Sequence, residues 1–163
     1  EGLYLPLSIV ENMALGTLRK QSVWSRARIP SADISVLLER MRVQSAGPAQ
    51  PVMSLSGGNQ QKVMIGRWLA SRADVMLIEE PTRGIDVGAK AEIYALLRSF
   101  TDEGGAVLIT SSELTEVLGL CDRILVVRGG ALVAEFAGAS AREEQVMGAA
   151  LTGRAMNMMD AAA

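Results

Sequence analysis

VMLIEEPTRGIDVGAKAEIYALLRSFTDEGGAVLITS, Val75 to Ser111, is the stretch on which the fold turns. Four apolar residues followed by two carboxylates read as a buried strand that ends at Glu79 and Glu80. Pro81 and Gly84 mark a turn, and Asp86 is placed to cap a helix. Ala89, Ile93, Leu96, Leu97 and Phe100 recur at helical spacing and face inward until Gly104 and Gly105 stop the helix. AVLITS supplies the next strand. Strand, helix, strand in that order predicts an α/β fold, a mostly parallel sheet flanked by helices.

Working outward, the upstream third reads as helical. SIVE, Ser8 to Glu11, has capping-box spacing. In SADISVLLERM, Ser31 is placed as a cap, and Ile34, Leu37, Leu38 and Met41 form a buried stripe. QSAGPAQPV, Gln44 to Val52, reads as an extended linker. A helix over Asn59–Ser71 offers Val63, Ile65, Trp68 and Leu69 to the core. Downstream of the central stretch, a short helix runs from Ser112 to Gly119. RILVVRGGALVAEF then makes two strands around Gly129-Gly130. SARE, Ser140 to Glu143, caps a last helix to about Leu151, and the tail frays. The expected organisation is a helical segment over 1–53, an α/β core over 54–152 and a flexible tail over 153–163.

Composition narrows the function classes. The 163 residues are 49% apolar but only 4% aromatic, which suits helices packed on a sheet better than a platform for stacking bases. A formal charge of −2 gives no basic field for nucleic acid. The absence of histidine removes histidine triads and histidine-liganded zinc, so acid/base work falls to carboxylates. The single cysteine, Cys121, has no partner for an internal disulfide and is expected to pack as a small apolar residue in a reducing compartment. The strongly apolar runs are of strand length, far below the ~20 residues of a membrane span. Met53, Met64 and Met76 read as core filler rather than metal ligands.

Two strings carry chemistry. LSGGNQQKV, Leu55 to Val63, places two glycines and a capping serine, Ser56, at a helix start. Unpaired amides and the positive helix end there favour an anion. An isolated SGG is more often a plain tight turn. The second string puts Glu79 and Glu80 at the carboxyl edge of a sheet, where such folds bind ligands. One carboxylate can hold a hydrated Mg²⁺ while the other orients and deprotonates a water, the division of labour in phosphoryl transfer. Both could also be solvated at a strand end.

Taken together, with 25 residues from Leu55 to Glu80, the two strings resemble the ATP-binding cassette family. LSGGNQQKV is similar to its signature motif, VMLIEEP to its Walker B strand and TRGID to its D-loop. ITSSELTEVLGLCDRILVVRGG resembles its switch region and closing strands. More narrowly, EGLYLPLSIVENM, EPTRGIDVGAK and SSELTEVLGLCDRILVVRGG resemble the C-terminal cassette of the duplicated ATPases that drive bacterial ribose- and xylose-type importers. The resemblance implies a P-loop NTPase fold of the cassette type with a helical subdomain. It implies ATP and Mg²⁺ as ligands, and composite sites in which the signature of one cassette closes over ATP held by another. Leu55, Ser56, Gly57, Gly58, Asn59 and Gln60 would then contact a nucleotide held by the facing cassette. Glu80 would be the catalytic carboxylate, and Glu79 would hold Mg²⁺ through water. Gly84 and Asp86 would belong to the D-loop, and Ser112 to the switch. Asp86 serves as a helix cap on either reading, and Arg83 would face another cassette or water.

The sequence departs from the family in several places. No G-x-x-x-x-G-K-[ST] string occurs; the nearest, GIDVGAK, has three residues between its glycines. The glutamine loop is also missing, so the chain is expected to be the C-terminal portion of a cassette. Glu79 stands in place of the usual aspartate. The extra methylene moves its carboxylate by about 1.5 Å, where displacements near 1 Å lower rates by roughly two orders of magnitude. Ser112 replaces the γ-phosphate-sensing histidine. These departures resemble the degenerate C-terminal cassettes of sugar importers, whose signature completes the site on the N-terminal cassette.

The partners so implied are a second cassette, transmembrane permease subunits and, indirectly, a periplasmic sugar-binding protein. Nucleic acid is not among them. The location is peripheral, on the cytoplasmic face of the inner membrane. The alternatives are a soluble cassette ATPase outside transport, which would need a basic arm, and an inactive regulatory module. An open sheet edge is expected to promote self-association.

Overall fold

Asp86 caps its helix as the sequence predicts: the carboxylate accepts from the Ala89 amide at 2.9 Å. The helix, α4, spans Val87–Asp102 and buries Ile93, Leu96, Leu97 and Phe100. It connects β1 (Val75–Glu79) to β2 (Ala106–Thr110), and the two strands lie side by side, the crossover arrangement of an α/β unit. The Ala106 amide donates to the Asp74 carbonyl at 2.9 Å where the two strands begin.

The computed structural model describes residues 2–16, 31–71 and 73–153. Trp24 and residues 154–163 lie outside them, as does the residue before Ser31. The chain divides into two compact units, Glu1–Leu108 and Ile109–Ala163, the division falling within β2.

In the first unit, α1 (Ile9–Leu15), α2 (Ser31–Arg40) and α3 (Gly57–Ala70) pack around Ile9, Met13, Ile34, Leu38, Met41, Val52, Leu55 and Val63. The SIVE capping box is present. The Ser8 amide donates to the Glu11 carboxylate at 2.8 Å, and Ser8 Oγ accepts from the Glu11 amide at 3.3 Å. Asn12 is fully buried on the same helix. It is satisfied by the Tyr4 amide at 2.8 Å and by carbonyls of Tyr4, Leu7 and Ser8. Ser31 is the first residue of α2 rather than a cap outside it.

Several expectations are corrected here. The extended linker over Gln44 to Val52 is held against α1. The amides of Ile9 and Val10 donate to the carbonyls of Gln50 and Pro48, each at 3.0 Å, and the Val52 amide donates to Leu7. The strap thus supplies acceptors for the first-turn amides of α1, which have none inside their helix. Val52 is fully buried and opens a 3-10 turn over Val52–Ser54. Helix α3 starts at Gly57, two residues earlier than the pattern suggested. Trp68 is 46% exposed, its ring beneath the Arg67 guanidinium at 5.2 Å, while Lys62 is buried in the inner stripe. The strand at Val75 is not buried throughout: Met76 is, but Val75 and Leu77 are 59% and 76% exposed. Alternate residues face opposite sides of a strand, and among the described residues only one side is covered.

In the second unit, β3 (Arg123–Arg128) and β4 (Ala131–Ala137) form an antiparallel hairpin, with Arg128 opposite Ala131 at the turn. Gly129 and Gly130 have φ of +58° and +79°, the double left-handed conformation of a two-residue turn matched to strand twist. Ile124 and Val126 pack with Val146 and Ala149 of α6 (Glu143–Thr152), and with Leu114, Val117 and Leu118 of α5 (Leu114–Leu120). Half-buried Cys121 joins this cluster. Ser140 does not cap α6. Its hydroxyl donates to the Ala137 carbonyl inside a 3-10 turn, and Arg142 occupies the cap position, its amide donating to Gln145 at 3.3 Å.

Candidate functional site

The six residues from Leu55 to Gln60 have different roles. Leu55 is a core residue, 8% exposed. Gln60 fastens the preceding turn, its side-chain amide donating to the carbonyls of Leu55 at 3.1 Å and Val52 at 3.3 Å. Gly58 is buried against α4: a Cβ there would stand 2.7 Å from that of Ala89. Ser56 and Gly57 are exposed at the tip of α3.

Ser56 caps the helix. Its Oγ accepts from the Asn59 side-chain amide at 2.9 Å and lies 3.5 Å from the Asn59 backbone nitrogen. Because both contacts use the oxygen as acceptor, the hydroxyl hydrogen remains for an outside acceptor. The amides of Gly57 and Gly58 sit in the first turn, where no intrahelical acceptor exists.

The tip of α3 faces the start of α4 across a cleft of about 330 Å³. Ser56, Gly58, Asn59 and Lys62 line one wall; Asp86, Gly88, Ala89 and Glu92 line the other, with Gln44 at the edge. Two helix N-termini therefore converge on one opening, each with about half a positive charge. The Asp86 carboxylate is tied to its own helix and offsets one of them. Lys62, 3% exposed, ion-pairs with Glu92 at the base. The structure thus brings Asp86 together with Ser56, Gly58 and Asn59.

Glu79, Glu80 and Gly84 are not on this cleft. Glu79 is the exposed last residue of β1. Glu80 follows at φ +48°, a left-handed conformation that is costly for a residue with a Cβ. Its carbonyl accepts from the Arg83 amide at 3.3 Å, and Pro81 and Thr82 beyond it are buried. Gly84 takes φ +75° in the same turn. Among the described residues no three carboxylate or cysteine side chains gather as a metal cluster. Mg²⁺ needs only one or two carboxylates when phosphates complete its shell, and Glu79 offers one exposed carboxylate at the end of β1. Ser112 is an exposed residue of the second unit, beside Ser111, whose hydroxyl accepts from the Glu113 amide at 3.0 Å.

Lys62, Glu92 and Gln44 escaped the sequence reading. A lysine on the inward stripe of α3 was the available signal. Glu92, thirty positions on, carries no local mark of the pairing.

The family described as ABC transporter matches residues 5–83. A ribose import ATP-binding protein of Rubrobacter xylanophilus is 43% identical over 160 residues, covering 94% of this chain and 31% of that protein. A xylose import ATP-binding protein of Burkholderia ambifaria is 44% identical over 155 residues, covering 93% and 30%. The chain thus spans about a third of the length of these curated relatives. Among solved structures, an inward-facing metal-chelate-type ABC transporter superposes with a TM-score of 0.76 at 19% identity, covering 93% of this chain and 61% of that one. That likeness concerns the fold.

Proposed function

We propose that the chain belongs to the ABC transporter family, whose model matches residues 5–83, and that it is part of the ATP-hydrolysing subunit of a bacterial sugar importer. The carrying observation is the exposure of Ser56 and Gly57 at the tip of the fourteen-residue α3. Such a tip suits a phosphate that another cassette holds. The Ser56 hydroxyl and the Gly57 amide donate to the γ-phosphate of ATP, and the helix end faces the negative charge. At the other composite site, where this cassette holds its own ATP, Glu80 orients and deprotonates the attacking water. Mg²⁺, held through water by Glu79, would neutralise charge on the phosphate oxygens. Asp86 completes the wall opposite Ser56 and reaches the facing cassette.

ATP binding then draws two cassettes together, and hydrolysis releases them. The helical segment, roughly residues 1–53, passes that movement to transmembrane permease subunits, which receive sugar from a periplasmic binding protein. No helix among the described residues is long and apolar enough to cross a membrane, which accords with peripheral attachment through those subunits at the cytoplasmic face of the inner membrane. The Ser112 and Glu79 substitutions support a division of labour in which this cassette's own ATP site is weak while its signature completes the competent one.

ATP turnover of the complete protein tests the reading. Ser56→Arg fills the tip with a long side chain and is expected to lower kcat by about two orders of magnitude, whereas Glu80→Gln has a smaller effect. Wild-type turnover with Ser56→Arg would remove the signature from the mechanism.

A further inference from the structure

The site just described contains a relay that leads away from the phosphate. Helix α2 ends in a Schellman arrangement: the Val43 amide donates to Leu38 and the Arg42 amide to Glu39, each at 2.9 Å, with Arg42 at φ +51°. Two groups on α3 meet the chain there. Lys62 Nζ donates to the Arg42 carbonyl at 2.9 Å while its charge pairs with Glu92. Two residues further on, the Gln44 amide donates to Asn59 Oδ1 at 3.0 Å.

The second bond settles the orientation of the Asn59 side chain. A backbone N–H only donates, so the asparagine oxygen faces Gln44 and its NH₂ group faces Ser56, donating to Oγ at 2.9 Å. With Oγ used as an acceptor in both contacts, the serine hydroxyl keeps its hydrogen for an outside acceptor. An unbroken chain of bonds therefore joins the end of α2 to the one hydroxyl at the tip of α3.

We propose that Asn59 is a positioning residue: it takes its orientation from the backbone at Gln44 and imposes it on the Ser56 hydroxyl. Lys62 anchors the segment being read. The proposal rests on the role assigned above to Ser56, and it adds a direction of control. A displacement of the α2 end swings the Asn59 amide and withdraws the donor from the phosphate without any rearrangement of the glycines. Asparagine suits the task because its side chain is short and planar, with an acceptor and a donor on opposite sides.

Four forms of the complete protein test it by ATP turnover: Asn59→Asp, Ser56→Ala, the double variant and Ser56→Arg. Aspartate keeps the acceptor for Gln44 but has no N–H for Ser56, so the hydroxyl turns to donate to the carboxylate. The expected result is a kcat lowered about tenfold with KM for ATP changed less than about twofold, because the contact belongs to the closed, reacting assembly. The double variant is then no slower than Ser56→Ala alone, since the asparagine acts through the serine. Asn59→Ala, which removes both bonds without adding charge, gives the same pattern should the aspartate variant fold poorly.

Wild-type turnover in Asn59→Asp overturns the proposal, as do losses that multiply in the double variant, the mark of a separate structural role. If Ser56→Arg itself turns over normally, the function assigned to the signature is wrong and the relay falls with it. A slow Ser56→Arg beside a normal Asn59→Asp overturns the relay alone.

Discussion

Gly58 and Ala89 meet so closely that a methyl group at position 58 would stand 2.7 Å from the Ala89 Cβ. The atom in the way is a Cβ fixed to the backbone of α4, so Gly58→Ala must push two helices apart. A loss of about 1–3 kcal/mol is expected, read as a lower urea midpoint with an unchanged slope. Glu80 invites the opposite experiment. Its φ of +48° costs of order 1–3 kcal/mol for a side-chain-bearing residue. Glu80→Gly is therefore expected to raise stability by about 1 kcal/mol while lowering ATP turnover of the complete protein less than Ser56→Arg does. Strain retained at a carboxylate is what a catalytic position would show. A stability gain with no loss of turnover would leave that strain without a purpose.

At the scale of elements, α1 gives a dependence on pH. The Ser8 hydroxyl and amide both donate to the Glu11 carboxylate and hold its pKa below the ordinary glutamate value against the opposing effect of desolvation. A folded pKa lower than the unfolded one means that the contribution is complete above the unfolded value and is lost as pH falls through the folded one. Ser8→Ala is therefore expected to destabilise the chain near neutrality, with the difference from wild type shrinking in acid. Urea melts of both forms across the carboxylate range check it.

These elements also show what local sequence could foretell. The capping box, the Asp86 cap, the two strands around Gly129-Gly130 and the glycine-flanked tip of α3 were legible because each depends on residues within one turn or one hairpin. Trp68 was misread as core, since the α3 stripe does not disclose that Lys62 takes an inward place. The bonding of the linker over Gln44 to Val52 was not legible either. Its bonds run from backbone carbonyls to the amides of α1, and no side chain announces them. The meeting of Asp86 with Ser56 needed the tertiary approach of α3 to α4, which spacing alone does not encode.

For the whole molecule, the exposed apolar side of β1 is the feature with consequences. Val75 and Leu77 stand open to solvent in the first unit, and Leu108 of β2 is 53% exposed. Open sheet edges beside apolar faces associate, so light scattering of the isolated chain is expected to reveal a dimer or larger species. Leu77→Lys, which charges that face, is expected to shift the population toward monomer. Strictly monomeric wild-type chain would show that the face is tolerated by water as it stands.

The turn at Gly129 and Gly130 has a stereochemical corollary. Both residues occupy the half of backbone space that mirror-image amino acids prefer, and neither meets a neighbouring atom where a Cβ would lie. A D-alanine introduced there by chemical ligation should settle without protest, whereas its L-enantiomer has to work against the twist of the ribbon. One corner of the molecule is thus indifferent to side-chain volume yet selective for handedness.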